Sequence, residues 1–203
     1  MPRATHRTNA TPKRQRNAAA TRQAILQSAR QAFAKAGYAG AGVREIARGA
    51  GVTAMLVNRY FGSKERLFAE AVAESMATTS VLAPQIASAG ISGKAIATAL
   101  VGITKADAAP LEGFQIMLRS AASASAARIG REQIDRHHQK RIAAALQGAL
   151  APQRAAVMLS LIAGFQLMRQ MLELPALAKA DAKTLVKVLA PLFDQLLVGH
   201  GRS

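Results

Sequence analysis

Cysteine is absent from the 203-residue sequence, and this absence removes several classes of function at once. Without thiols the chain can form no disulfide, no thiolate metal site and no cysteine nucleophile, so zinc fingers and cysteine hydrolases are excluded. The lack of cysteine is consistent with a reducing compartment. No cofactor is expected from any pattern in the chain.

Long apolar runs are missing as well. The most apolar stretch, residues 157–168, is interrupted by Ser160, Gly164 and Gln166. It is shorter than the roughly 20 apolar residues that a membrane-spanning helix needs. We therefore expect a soluble protein without a membrane partner.

Acidic residues are scarce, with 11 Asp and Glu against 27 Lys and Arg, which gives a formal net charge of +16. Residues 1–67 contain 13 basic side chains and two acids, whereas residues 68–203 contain 14 basic side chains and nine acids. Such an excess of positive charge indicates a polyanionic partner. Its uneven distribution predicts a basic N-terminal module joined to a nearly ordinary one.

Residues 1–20 are basic, contain no acid and contain few large apolar side chains. Such a segment buries too little surface to offset the entropy lost on ordering, so a flexible basic arm is predicted. An arm that follows DNA is favoured over a transit peptide, because the segment has no apolar helical face. A merely solvated tail is the third interpretation.

Helical signals dominate from Thr21 onward. The chain contains 46 alanines, and no stretch alternates as strands do, so an all-α fold is predicted. Thr21 is the predicted N-cap of the first helix and Gly37 its end. Further helices are predicted at residues 43–49, 54–60, 63–79, 94–106, 110–122, 127–150, 152–172 and 181–198, with a connection at 80–93.

The first short helices have the layout of a helix-turn-helix, in which the second short helix enters the major groove of DNA. Val57 and Phe61 are spaced to anchor this helix inward. The side chains left facing outward are Ala54, Met55, Asn58 and Arg59. Asparagine can pair with adenine, arginine with guanine or phosphate, and apolar groups with the thymine methyl. A solvated face is the alternative, but it leaves an exposed methionine unexplained.

Groups suited to phosphate lie around this face. Thr53 begins the recognition helix, Tyr60 ends it, and Lys64 lies in the first turn of the next helix, where free amides attract anions. Arg44, at the start of the preceding helix, can reach a base edge or the backbone. Each residue alone is a weak indication, and their combined spacing is the signal.

One set of positions in this module has a specific spacing. It consists of Thr21, Ile25, Ala29, Phe33, Gly37, Tyr38, Ile46-Ala47, Ala50-Gly51-Val52-Thr53 and Tyr60-Phe61-Gly62-Ser63-Lys64-Glu65-Arg66-Leu67-Phe68. The set closely resembles the N-terminal domain of TetR-family transcriptional regulators over about residues 19–79. The length of the chain and its two apolar C-terminal helices suit that family as well.

The resemblance implies a helix-turn-helix DNA-binding domain at residues 21–79 and a helical domain for ligand binding and dimerisation at residues 80–203. It implies a bacterial, cytoplasmic homodimer that associates with the nucleoid by binding a palindromic double-stranded operator. Such a regulator is usually a repressor that a small-molecule effector releases. By position, the base contacts fall on Arg44, Ala54, Met55, Leu56, Asn58 and Arg59, and the phosphate contacts on Thr53, Tyr60 and Lys64.

Two places depart from the family pattern. Ala41 and Gly42 stand where a hydroxyl residue often precedes the second helix, so one phosphate contact is expected to be missing. In the recognition helix, Asn58 stands where an aromatic residue is frequent, and the small residues near Met55 and Ala54 differ from common forms. The operator of a relative therefore does not transfer to this chain.

Inward side chains of the middle helices are candidates for an effector cavity that accepts a largely apolar molecule. They are Phe114, Met117, Leu118, Phe165, Met168 and Met171, with Arg119 and Gln166 as polar groups. Flexible methionines suit varied apolar ligands. The alternative is that these residues form ordinary core.

The last two long helices carry apolar stripes too broad for an ordinary surface helix. A four-helix bundle between two copies of the chain is favoured, with packing inside one chain as the alternative. The predicted interface residues are Val157, Leu161, Phe165, Leu185, Leu189, Leu192 and Leu196.

Catalytic patterns are missing. His137 and His138 are adjacent and point about 100° apart on a helix, so they share no metal. Gly93-Lys94 lacks the earlier glycine and the following hydroxyl residue of a phosphate-binding loop, and no Gly-x-Ser-x-Gly elbow occurs. We expect no enzyme. An operator-specific, ligand-responsive regulator is favoured over a non-specific basic DNA-coating protein, for which charge alone suffices.

Overall fold

The computed structural model describes residues 11–78, 91–105 and 111–198, and these residues are almost entirely helical. The helices are α1 (Thr11–Gly40), α2 (Val43–Gly49), α3 (Ala54–Phe61), α4 (Lys64–Thr78), α5 (Gly93–Ile103), α6 (Glu112–Ser120), α7 (Ala124–Ile134), α8 (Lys140–Ala145), α9 (Ala151–Gln166), α10 (Pro175–Ala178) and α11 (Ala182–Leu197). Single π-helical turns occupy Asp135–Gln139 and Leu167–Met171. No strand occurs in the described ranges, and the predicted all-α class is confirmed.

The first helix begins at Thr11, well before its predicted start. Thr21 is therefore not a cap, and its hydroxyl donates to the Asn17 carbonyl oxygen (2.8 Å) instead. The prediction of a flexible arm is corrected for residues 11–20, where alanines at 18–20 favour helix without any apolar stripe. The rest of that predicted arm, residues 1–10, lies outside the described residues. Gly37, with φ +68° and ψ 178°, kinks α1 near its end.

The helix-turn-helix forms as its spacing predicts. Thr53 Oγ1 accepts a hydrogen bond from the Leu56 amide (3.3 Å) and caps α3. Ser63 Oγ accepts from the Arg66 amide (3.2 Å) at the start of α4. Gly51, with φ +67°, supplies the left-handed backbone of the turn between α2 and α3.

A first hydrophobic core holds the four N-terminal helices together. Ile25 and Phe33 of α1 are fully buried, and the Phe33 and Phe68 rings meet edge to face with centroids 5.0 Å apart. Val57 and Phe61, the predicted anchors of α3, are buried in the same core. Burying a side chain of this size contributes roughly 1.5–3 kcal/mol. Packing therefore stabilises α3, which is too short to be stable alone.

Two helices from beyond residue 79 complete this first core. Ile116 of α6 and Ile129 of α7 are buried in it. At the end of α1, the Tyr38 amide donates to Ser120 Oγ (2.9 Å) of α6. The helices of the two predicted domains thus pack directly on each other.

A second core lies among α5, α8, α9 and α11. Ile96, Leu100, Met158 and Phe193 are its most deeply buried large side chains. The Arg154 guanidinium, in the first turn of α9, donates to carbonyl groups in the last turn of α11. These two helices therefore run antiparallel.

The predicted C-terminal helices need two corrections. The helix predicted at residues 127–150 begins at Ala124, passes through the first π turn and ends at Ala145. The short helix α10 was not predicted. The helix starts predicted at 152 and 181 are each one residue from the observed starts of α9 and α11. Most of the predicted connection at 80–93, and Pro110, lie outside the described residues.

Candidate nucleic-acid interface and ligand cavity

The outer face of α3 is polar and open. Met55 is 78% exposed, and Asn58 and Arg59 are exposed on the same short helix. The opposite side carries the buried anchors Val57 and Phe61. The helix thus presents amide, guanidinium and thioether groups that match the chemistry of base edges in the major groove.

The other DNA-contacting residues predicted on or beside this helix are less accessible to a bound duplex. Ala54, Leu56 and Tyr60 are half-buried, and the first and last of these pack against the first core. Thr53 is exposed, although its hydroxyl is engaged in capping α3. The surface that α3 offers is therefore centred on Met55, Asn58 and Arg59.

Helix α2 adds two guanidinium groups. Arg44 and Arg48 are both exposed and four residues apart, which places them on one side of α2. Arg44 was predicted as a contact residue, whereas Arg48 was missed. The spacing of the two arginines is the signal that would have identified it.

Lys64 is held at the start of α4. Its ammonium lies 4.7 Å from the centroid of the Tyr38 ring. The Tyr38 hydroxyl donates to a carboxylate oxygen of Glu65 (2.8 Å), which fixes the ring. Sequence reasoning missed this arrangement because Tyr38 is far from the other two residues along the chain. It places a cation at a helix N-terminus, which is a favourable position for phosphate.

The Tyr38 and Glu65 pair keeps its charge state over a wide pH range. Burial raises the pKa of Tyr38 to about 12, and the neighbouring Glu65 carboxylate adds to the rise. The hydrogen bond from Tyr38 in turn holds the pKa of Glu65 below its usual value. At neutral pH the phenol is therefore protonated and the carboxylate is charged.

A cavity of about 370 Å³ lies beside α4, α6 and α9. This volume is near the lower end of the roughly 300–1,000 Å³ that small-molecule sites occupy. The described residues that line it are Ser75, Met76, Leu111, Gly113, Phe114, Met117, Leu118, Ala121, Ile134, His138, Leu159, Ile162, Ala163 and Gln166. Phe114, Met117, Leu118 and Gln166 among them were predicted.

The structure corrects the other four predicted cavity residues, Arg119, Phe165, Met168 and Met171, which do not line it. Phe165 is buried in the second core, and Arg119 is exposed at the end of α6. Met168 is 41% exposed. Helix α9 is apolar on two adjacent sides, so its sequence does not show which side lines the cavity and which side enters the second core.

Two polar side chains of the cavity have unusual surroundings. Gln166 is only 4% exposed, and its Nε2 has no hydrogen-bond partner in the described part of the chain. Burial, together with the nearby His137 and Arg141, lowers the pKa of His138 below its usual value. The imidazole is therefore neutral at neutral pH. His138 was not predicted to line the cavity, because a space between helices leaves no pattern in the local sequence.

Helices α9 and α11 leave apolar side chains uncovered. Val157 of α9 is 53% exposed, Leu192 of α11 is 42% exposed, and Val188 of α11 is exposed as well. Because the two helices are antiparallel, Val157 near the start of α9 and Leu192 near the end of α11 lie toward the same end of the pair. Large apolar groups left exposed are candidates for burial against another molecule.

The predicted interface set is corrected in part. Phe165, Leu185 and Leu189 are buried in the second core of their own chain, so they are not available to a second copy. Leu161 and Leu196 are half-buried. The correction has the same cause as in the cavity, since each helix is apolar on more than one side and the sequence does not say which side meets the core.

The described residues show neither a membrane-spanning helix nor a cluster of metal ligands. None of the described helices combines the length and apolarity that crossing a bilayer requires. Within the described ranges, no three His, Asp or Glu side chains are grouped so as to hold a metal ion.

Family models match both parts of the chain. Residues 25–71 match the model described as bacterial regulatory proteins of the tetR family. Residues 92–197, more than half of the chain, match the model described as a tetracyclin repressor-like C-terminal domain. No curated protein matches the chain.

Solved structures share the fold. A TetR-family regulator from Streptomyces coelicolor is 23% identical, with a TM-score of 0.52, and the alignment covers 96% of this chain and 99% of that one. The fatty acid degradation regulator FadR from Bacillus halodurans is 19% identical, with a TM-score of 0.62 and coverage of 89% and 99%. The multidrug binding protein EbrR, complexed with imidazole, is 20% identical, with a TM-score of 0.60 and coverage of 89% and 96%. At these identities the likeness concerns the fold.

Proposed function

The chain belongs to the TetR family of bacterial transcriptional regulators, and from this premise we propose that it is a homodimeric repressor released by a small-molecule effector. Its target is a palindromic operator in double-stranded DNA. Its effector is a largely apolar molecule that binds in the cavity beside α4, α6 and α9. It works in the cytoplasm, on the DNA of the nucleoid.

The observation that carries this proposal is the outer face of α3. Met55 is 78% exposed and contributes nothing to either core. Asn58 and Arg59 stand beside it on a helix that buried anchors hold rigidly. A fixed face of this kind is suited to base edges, whereas a protein that only coats DNA needs charge and no such face.

A dimer follows from the uncovered apolar side chains of α9 and α11. Two copies related by a two-fold axis can bury Val157, Val188 and Leu192 against the same residues of the partner. The two-fold axis then relates the two α3 helices of the dimer, one from each copy. A palindromic operator repeats its half-sites with the same symmetry.

An effector in the cavity can act on the DNA-binding helices through Arg30 of α1. Arg30 Nε donates to the Glu112 carboxylate of α6 (2.6 Å), and its guanidinium lies 3.5 Å from the Glu74 carboxylate of α4. The next residues along these two helices, Ser75 and Gly113, line the cavity. A ligand that displaces α4 or α6 therefore moves the helices against which α3 is packed.

The test is a titration of the purified protein with the DNA upstream of its own gene and with a scrambled duplex of equal length. Each titration is made at low and at near-physiological salt. We expect a preference of about 10³ or more for the natural fragment, and this preference persists as salt is added. If both duplexes bind equally and both complexes dissociate with salt, the chain is a non-specific DNA-coating protein.

A further inference from the structure

Gln166 contributes a buried side-chain amide to the lining of an apolar cavity. The side chain is 4% exposed and lines the cavity, and Nε2 has no partner in the described part of the chain. Phe114, Met117 and Ile162 are among the apolar groups around it. A buried N–H without an acceptor is unfavourable, and a bound molecule that supplies the acceptor removes that cost.

The described lining of this cavity contains no charged side chain. None of the described residues lining the cavity is Asp, Glu, Lys or Arg. Burial lowers the pKa of His138, so this imidazole is neutral near pH 7. Ser75 donates its hydroxyl hydrogen to the Val72 carbonyl oxygen (2.9 Å). The described lining residues therefore offer a charged ligand no counter-charge, and transfer of an unpaired charge from water into apolar surroundings is strongly unfavourable.

We propose that the effector is an uncharged, mainly aliphatic molecule with a carbonyl oxygen that accepts a hydrogen bond from Gln166 Nε2. This inference rests on the proposed effector function of the cavity and adds the chemical class of the ligand. The 370 Å³ of the cavity corresponds to about a dozen water volumes at roughly 30 Å³ each. A ketone, aldehyde or ester with about ten carbons has this size.

The hydrogen bond also gives the site a means of selection. A site that holds a buried polar group rejects the analogue that leaves this group unpaired, whereas an apolar wall discriminates weakly between aliphatic chains. The carbonyl group, more than chain length, is therefore the feature by which this cavity recognises its ligand.

Four probes of one chain length test the proposal on the full-length protein. They are 2-decanone, decane, decanoate and decyltrimethylammonium, each titrated at pH 7.5 by calorimetry and by thermal shift. We expect 2-decanone to bind at least about tenfold more tightly than the other three. Equal or tighter binding of decanoate or of the ammonium probe overturns the proposal, and so does the absence of any binding by 2-decanone.

Variants locate the interaction. Gln166→Leu removes the donor with little change in volume, and we expect it to weaken 2-decanone binding about tenfold while leaving decane unaffected. Gln147→Leu, at an exposed position after α8, is the matched control and leaves both affinities unchanged. Ala163→Phe fills the cavity and abolishes binding of 2-decanone. Unchanged 2-decanone affinity in a folded Gln166→Leu protein overturns the proposal, and the probe series on the unaltered chain decides it without any variant.

The operator titration separates this inference from the proposed function. If 2-decanone does not bind while the operator complex remains specific, the ligand class is wrong and the DNA-binding part of the function stands. If 2-decanone binds through Gln166 and the operator complex is also specific, we expect addition of 2-decanone to dissociate that complex.

Discussion

Among single residues, Asn58 is the side chain of α3 best suited to identify a base, because its amide can both donate to adenine and accept from it. It is exposed and belongs to no core. Replacing it with alanine is expected to lower the preference for the operator over a scrambled duplex by about 1–3 kcal/mol. Fluorescence anisotropy with both duplexes measures this preference.

Lys64→Ala is the matched comparison at the same interface. Lys64 lies on the Tyr38 ring at the start of α4 and is suited to phosphate, which every duplex offers. We expect the variant to weaken binding to both duplexes alike and to reduce the salt slope by about 1. An Asn58→Ala protein that keeps full operator preference contradicts the assignment of Asn58 to base recognition.

His138 links the cavity to acid stability. Burial, with His137 and Arg141 nearby, lowers its pKa in the folded chain below the ordinary 6.5. As pH falls below 6.5, the unfolded chain binds the proton before the folded chain does. The stability that the neutral imidazole contributes is therefore complete above pH 6.5 and is lost as pH falls through the folded pKa. Urea unfolding between pH 5 and pH 8 measures this effect. The free energy of unfolding is expected to fall less on acidification for His138→Gln than for the unaltered protein. His137→Gln is the control, since it leaves His138 in place and should keep most of the loss of unfolding free energy.

At the scale of elements, the contact between α1 and α6 depends on Gly37. Its φ of +68° and ψ of 178° lie in a region that only glycine occupies readily, and an added Cβ would overlap the Arg119 carbonyl oxygen of α6. Gly51 has a similar φ of +67°, but a Cβ there meets open space. We therefore expect Gly51→Ala to cost about 1–2 kcal/mol from backbone strain alone. Gly37→Ala should cost more than this, because α6 must also move.

Chemical denaturation measures the free energy of unfolding of both glycine variants. The ligand concentration needed to release the operator is the second measurement. Because α6 lines the cavity and rests on α1, Gly37→Ala should also weaken the coupling between ligand and DNA, whereas Gly51→Ala should not. Equal losses of stability in the two variants would show that backbone strain accounts for the whole loss and that the contact with α6 makes no contribution.

For the whole molecule, the uncovered side chains of α9 and α11 determine the expected assembly. Leu192→Arg introduces a charge at a position that is 42% exposed in one chain and buried in the proposed dimer. Burial of an unpaired charge costs several kcal/mol, so we expect monomers at micromolar concentration and weak operator binding. Sedimentation velocity measures the change.

The control for this prediction is Thr98→Arg, which adds the same charge to an exposed position on α5. It should leave the assembly unchanged. Leu189, which the sequence also placed in the interface, is unsuitable for the test, because it is buried in the second core and arginine there would unfold the chain. A dimeric Leu192→Arg protein would require a different interface.

Local features of this protein could be predicted from the sequence. The start of α3 at Thr53 and its inward anchors, Val57 and Phe61, were predicted correctly. Each of them depends on atoms only three or four residues apart, so sequence spacing is sufficient to specify them. The outward face of the recognition helix follows from the same spacing.

The all-α class, the order of the long helices and the chemistry of the outer α3 face thus follow from local sequence patterns. The buried side of α9 and α11 follows from tertiary packing, because both helices are apolar on adjacent sides and burial depends on what packs against them. Tertiary packing also brings His138 to the cavity and joins Arg30 to Glu112. Such contacts link residues far apart along the chain, and a cavity is a space between helices that no periodicity of one helix encodes.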